Sequence, residues 1–163
     1  MRPSRRLCHP VLRLLGASAE QAAVCCVAPA PTVDGFEPHL GTNHYGHYLL
    51  RNLLAPTLQR SAPSRVVVLA SCLHDRSVDT QPTVLDMAAE PASLGGPCNA
   101  WMAYSRSKLA NVLSATAAGP RLAPSGVCVV SVHPGIDVTT GLFRHNPITR
   151  RLMALLGDAR PRR

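Results

Sequence analysis

Arg65-Val66-Val67-Val68-Leu69-Ala70-Ser71 is a short aliphatic, β-branched run that stops at a serine. Four consecutive apolar residues without alternation mark a strand covered on both faces, as a parallel sheet requires. A second such run, Val127 to Val132, lies downstream, and Val24 to Ala28 is a shorter candidate upstream. Helical signals separate the three. Asp34 and Glu37 read as a capping pair opening a helix with the apolar stripe Leu49, Leu50, Leu53, Leu54 and Leu58, before Pro63 and Ser64 end it. Pro38 and Pro56 are expected to kink or divide that segment. Trp101 to Ala118 reads as another helix, stopped by Gly119-Pro120. Cys72 to Ala100 is polar and rich in Pro and Gly, a long loop of the kind that covers a substrate site. Strand, helix, strand, helix, strand implies an α/β layered domain.

The second helix carries Trp101-Met102-Ala103-Tyr104-Ser105-Arg106-Ser107-Lys108-Leu109-Ala110-Asn111, in which Lys108 is the only lysine of the chain. Residues i and i+4 share a helix face, so this ammonium can approach the phenol of Tyr104 and favour its ionised form. An unperturbed phenol titrates near a pKa of about 10 and needs such tuning to exchange a proton at neutral pH. On spacing alone, Tyr104 could equally be a half-buried aromatic beside a solvated cation. The surrounding motifs decide between the two.

Tyr104-x-x-x-Lys108 resembles the catalytic helix of the short-chain dehydrogenase/reductase family, and three further stretches match that family in the same order. Asn43-His44-Tyr45-Gly46-His47 looks like its Asn-His-x-Gly-His helix, Arg65 to Ser71 like the strand ending in the catalytic serine. His133-Pro134-Gly135-Ile136-Asp137-Val138-Thr139 looks like the Pro-Gly-x-x-x-Thr turn beside the nicotinamide. With an interval of 33 residues from Ser71 to Tyr104, the chain is most similar to WW-domain-containing oxidoreductases and next to retinol dehydrogenase-like members.

The resemblance implies a partial Rossmann-like, doubly wound parallel sheet, the second half of such a domain. It implies NAD(P)-dependent alcohol/carbonyl interconversion on a lipophilic, steroid- or retinoid-like substrate. Tyr104 would be the acid/base and Lys108 its tuner. Ser71 would polarise the carbonyl, and Asn43 would hold a water of the proton relay. NAD or NADP would be contacted by Tyr104, Lys108, Pro134, Gly135 and Thr139. Many relatives dimerise through the helices matching those of Asn43 and Tyr104, which suggests a homo- or heterodimer with Arg106 and Ser107 on an exposed or interface side. His44, His47 and His133 read as packing residues. Ser71, His74 and Asp75 could spell a hydrolytic triad, but no Gly-x-Ser-x-Gly elbow surrounds the serine.

The chain departs from the family pattern in places. No Gly-x-x-x-Gly-x-Gly or Gly-x-Gly-x-x-Gly turn is present to cradle a pyrophosphate. The Asn-Ala-Gly expected after the Val24 to Ala28 strand is missing, since Cys26-Val27-Ala28-Pro29 stands there. The reading is a basic leader over 1–21, a truncated dehydrogenase domain over 22–157 and a basic tail over 158–163. A catalytically inactive member acting through a full-length partner is the alternative function.

Charge excludes one class of partner. The net +8 splits into +4 over residues 1–16, −1 over 17–143 and +5 over 144–163, so the body is neutral and the basic ends read as solvated tails. With 2 phenylalanines and 1 tryptophan for base stacking, no nucleic acid is expected. Six cysteines show neither Cys-x-x-Cys pairs nor zinc-finger spacing, so no metal is expected, and reduced thiols in apolar runs suit the cytoplasm. The Arg-rich start, free of acid until Glu20, leaves a mitochondrial address as the alternative. No stretch has the length of a transmembrane helix.

Overall fold

The computed structural model describes residues 16–25, 27, 30–77, 97–135, 142 and 151. Three parallel strands, β1 (Ala17–Glu20), β2 (Ser64–Leu69) and β3 (Val127–Val132), form one sheet in the order β1-β2-β3. The register pairs Glu20 with Val68 and Leu69 with Val132. Between β1 and β2 run a short helix α1 (Pro38–Leu40), a π-helical turn (Gly41–Tyr45) and α2 (Gly46–Arg60). Helix α3 (Pro97–Leu122) joins β2 to β3. This is the α/β, partial Rossmann-like architecture expected from the strand and helix pattern.

The core lies where α2 and α3 meet the sheet. Leu58, Val66, Val68, Ala115 and Val127 are buried together, with Leu54, Leu122 and Val129 packed against them. Each fully buried Val or Leu contributes about 2 kcal/mol. The inward set on β2 alternates: Ser64, Val66 and Val68 are buried, Arg65 is exposed, and Val67 and Leu69 are half-buried. The sheet is thus more open on one side than the unbroken apolar run implied. Gly126 adopts φ +75° after the 3₁₀ turn Ala123–Ser125, and a Cβ there would stand 3.0 Å from that of Ala62. Only glycine fits this turn into β3 without strain.

Four sequence expectations change. Val24, Cys25 and Val27, the described residues of the stretch expected as the first strand, lie outside the sheet, and the carboxamide of Asn43 takes both backbone groups of Val24: Val24 N–H donates to Oδ1 at 2.8 Å, and Nδ2 donates to Val24 O at 3.0 Å. A side chain has taken the place of a sheet partner. The strand forms at Ala17–Glu20, inside the stretch read as a leader, so Gln21-Ala22-Ala23 follows it where Asn-Ala-Gly was sought. The first helix opens at Pro38 and not at Asp34. Glu37 alone caps it, accepting from the backbone N–H of His39 and Leu40, and Pro38 occupies the first turn, where its missing N–H costs nothing. Neither Pro56 nor Gly119-Pro120 stops its helix, and Ala115 and Leu122, packed on the core to either side, hold α3 through the latter pair. The loop read from Cys72 to Ala100 begins as a 3₁₀ turn, Cys72–Ser77, and gives way to α3 at Pro97, while residues 78–96 lie outside the described residues. Among the described residues no helix is long and apolar enough to cross a membrane.

One buried ion pair ties β1 to both helices. The Arg51 guanidinium on α2 donates to Glu20 Oε2 at 3.3 Å and to the hydroxyl of Ser114 on α3. Burial raises the Glu20 carboxyl above its ordinary value against the pull of Arg51, and Glu20 Oε1 has no hydrogen-bond partner among the described residues. An acid with a raised folded value stabilises the fold most below its unfolded value. That contribution is lost as pH rises through the folded value. Removing one partner strands a buried charge, so Arg51→Met should destabilise by about 3 kcal/mol or more. Glu20→Leu with Arg51→Met should recover most of that loss, as read by urea denaturation at neutral pH.

Candidate active site

The carboxyl ends of parallel strands are where open α/β sheets place their sites. Ala70 N–H donates to Val132 O at 2.8 Å, closing the sheet just beyond β2, and Ser71 follows it, buried. Its hydroxyl accepts from Leu73 N–H at 3.3 Å, and its carbonyl accepts from His74 N–H. The turn Cys72–Ser77 packs against α3, which carries Tyr104 and Lys108.

Tyr104 and Lys108 share the inward face of α3, as the i, i+4 spacing requires. The Lys108 ammonium lies 5.6 Å from the Tyr104 ring centroid and donates to Leu69 O at 3.1 Å, the last carbonyl of β2. Lys108 is only 3% exposed, and burial lowers its titration from 10.5 to about 8, with Cys25 opposing. A lysine at that value exchanges protons close to neutrality, and its charge acts on a neighbouring phenol through a poorly solvated medium.

Asn43 is fully buried in the π-helical turn. Besides its hold on Val24, its Nδ2 donates to Ser107 Oγ at 3.0 Å, and Ser107 Oγ donates to Tyr104 O at 2.7 Å. The main-chain carbonyl of Asn43 accepts from His47 Nδ1 at 2.9 Å and from Asn111 Nδ2 at 3.0 Å. Asn111 Nδ2 also donates to Leu69 O at 3.1 Å, and its Oδ1 faces His44 Nδ1 at 3.0 Å. With two carbonyls on its nitrogen, the amide can only accept from His44, which therefore carries its proton on Nδ1. Burial lowers both histidines, against bonds to Asn111 and Asn43 respectively, and the charge of Arg51 adds to the effect on each. His47 also feels Lys108.

Sequence reasoning missed Asn111, although Tyr104, Lys108 and Asn111 stand at i, i+4 and i+7, one continuous helix face. It also misplaced Arg106 and Ser107, read as exposed or at an interface. Both are buried, Ser107 as the partner of Asn43. Arg106 is 5% exposed, with no hydrogen-bond partner for Nε among the described residues. Cys25 is buried, as a thiol in an apolar run should be, whereas Cys72 and Cys128 are exposed. Pro134 and Gly135 stand exposed beyond β3, Gly135 with φ +96° and open space where a Cβ would be. Thr139 and the side chain of Asp75 lie outside the described residues.

No family model matches the chain. It is 40% identical over 131 residues to retinol dehydrogenase 11 of Homo sapiens, covering 79% of this chain and 38% of that protein. With the WW domain-containing oxidoreductase of Danio rerio it shares 38% identity over 129 residues, 76% of this chain and 30% of the relative. The solved structure of an uncharacterised protein from Mycobacterium paratuberculosis superposes with a TM-score of 0.60 at 30% identity, covering 92% of this chain and 55% of that one. The chain thus spans well under half the length of these two curated relatives. It belongs to the short-chain dehydrogenase/reductase family. Within that family it is similar to retinol dehydrogenases and to the WW domain-containing oxidoreductase.

With one lysine, the chain labelled with ¹⁵N-lysine should give a single side-chain NMR titration, with a midpoint near 8. A lysine lowered on folding costs stability below its folded value, and that cost is relieved as pH rises from about 8 towards 10.5. Lys108→Met should therefore be more stable than the native chain at pH 7, by on the order of 3 kcal/mol. Thermal unfolding should show this margin shrinking in that upper window.

Proposed function

We propose that the chain is an NAD(P)-dependent oxidoreductase interconverting an alcohol and a carbonyl on a lipophilic, steroid- or retinoid-like substrate. The observation that carries the reading is the buried Lys108 ammonium 5.6 Å from the Tyr104 ring, at the carboxyl ends of the strands. Tyr104 gives its phenolic proton to the carbonyl oxygen in reduction and takes it back in oxidation. Lys108 stabilises the phenolate left behind and offers donors to the nicotinamide ribose. Ser71 donates its hydroxyl to the substrate oxygen. Asn43 and its hydrogen-bond partners hold the relay side of the site.

A nicotinamide dinucleotide, when bound, supplies or accepts the hydride. The residues fit its nicotinamide half. Lys108 brings a cation to the strand ends, and Gly135 leaves the turn after β3 clear for close approach, with Pro134 and Thr139 beside it in sequence. No glycine-rich turn for the pyrophosphate occurs in the sequence. The proposed setting is cytoplasmic.

A second reading is favoured by one surface. Tyr48, Leu49, Leu50 and Leu53 on α2 and Leu113 on α3 are large apolar side chains left exposed, Leu53 at 69%. Exposed apolar patches mark interaction sites. In this reading the chain associates through the helices of Asn43 and Tyr104, with itself or with another family member, and does not turn over.

Titration with NADH and NADPH, followed by cofactor fluorescence, tests the first reading. Saturable binding that weakens at least tenfold in Tyr104→Phe/Lys108→Ala supports the enzyme. No binding up to millimolar cofactor by a folded chain removes it. Sedimentation of Leu49→Glu/Leu53→Glu tests the second: association lost relative to the native chain supports the helix face as the contact.

A further inference from the structure

Leu69 O is the meeting point of two donors from one helix, Lys108 Nζ and Asn111 Nδ2, both at 3.1 Å. Asn111 is 2% exposed, and all its amide atoms are engaged: Nδ2 by Leu69 O and Asn43 O, Oδ1 by His44. Its carboxamide therefore clamps the end of β2 to the π-helical turn. A carbonyl has two lone pairs, so Asn111 leaves Leu69 O a single acceptor site, which Lys108 fills. Asn111 also donates to Asn43 O at 3.0 Å, which ties the strand end to the helix of Asn43.

We propose that Asn111 is a positioning residue for Lys108: by sharing Leu69 O and tying that strand end to Asn43, it confines the ammonium to the position from which it faces Tyr104. Catalytic relevance rests on the oxidoreductase reading, but the confinement itself does not. The ionisable groups around this point are Cys25 from the segment after β1, His44 from the π-helical turn on Asn111 itself, His47 and Arg51 from α2, and Tyr104 from α3. Among these, Arg51 acts on both histidines and is paired with Glu20.

The test uses the single lysine as its own reporter, in the full chain labelled with ¹⁵N-lysine. Asn111→Asp replaces two donors with a carboxylate that can donate to neither carbonyl but sets a negative charge beside the ammonium, and an opposite charge within about 4–6 Å raises a lysine by about one unit or more. Asn111→Thr is too short to span both carbonyls. It admits water to the ammonium, so the midpoint should rise towards its ordinary value as desolvation is relieved. A residue that merely supports the fold would lower thermal stability in Asn111→Thr and leave the Lys108 midpoint at its native value. An upward shift in folded Asn111→Thr supports the proposal, and an unmoved midpoint there overturns it. Asn111→Asp calibrates how far a charge added at this position moves the midpoint. Cofactor binding by the native chain is scored separately: its absence together with shifted midpoints removes the oxidoreductase reading and keeps the confinement. Where turnover is present, the pH profile of kcat should move with the lysine midpoint.

Discussion

The carbonyl of Leu69 is the constraint on which the site depends. It is the last carbonyl of β2, and both side-chain donors that use it come from α3. Lys108 and Asn111 stand three residues apart, which fixes both the rotation of α3 about its axis and its height above the sheet. Tyr104, one turn earlier, then has no freedom to face elsewhere. Asn43 completes the frame from the other helix, because one buried amide bonds Val24, Ser107 and, through its main chain, Asn111 and His47. Four segments far apart in sequence are joined without any residue bearing a full charge except Lys108.

That frame also explains the electrostatics. Lys108 is buried on a carbonyl dipole with no carboxylate bonded to it among the described residues, so desolvation dominates and its titration falls to about 8. Arg51, buried on α2, is matched by Glu20 and by a serine hydroxyl. The two cations serve different ends. A paired guanidinium fixes the position of an edge strand, while an unpaired ammonium keeps a poorly solvated charge available beside a phenol. The neutral histidines between them prevent a third positive charge from pushing Lys108 lower still.

Much of this was legible in the sequence, and the failures have physical causes. The runs Val66 to Leu69 and Val127 to Val132 announced two strands because unbroken aliphatic stretches admit few other readings. The pairing of Tyr104 with Lys108 followed from helix periodicity. The first strand was misplaced because Val24-Cys25-Cys26-Val27 has the better strand composition, whereas Ala17-Ser18-Ala19-Glu20 pairs through its backbone alone. No periodicity rule foresees a distant asparagine saturating the backbone of Val24. Arg106 and Ser107 were read outward because polar residues on a helix usually are. Here the helix is buried on nearly every side through 103–108, and polarity marks internal bonds, as between Ser107 and Asn43.

Moving the first strand to Ala17–Glu20 alters what the chain offers a dinucleotide. The segment after it is Gln21-Ala22-Ala23, so the residue in the place of the glycine expected from the resemblance carries a Cβ. Glycine at such a position permits a ligand to approach the backbone, and alanine narrows that approach. Glu20, beside it, is spent on Arg51. In the proposed enzyme, cofactor contact falls to Lys108, Tyr104 and the Pro134-Gly135 turn. Lys108 and Tyr104 are organised by the Leu69 carbonyl, so cofactor contact and acid/base chemistry in the proposed enzyme draw on a single hydrogen-bonded frame. A change that loosens it would weaken binding and proton transfer together.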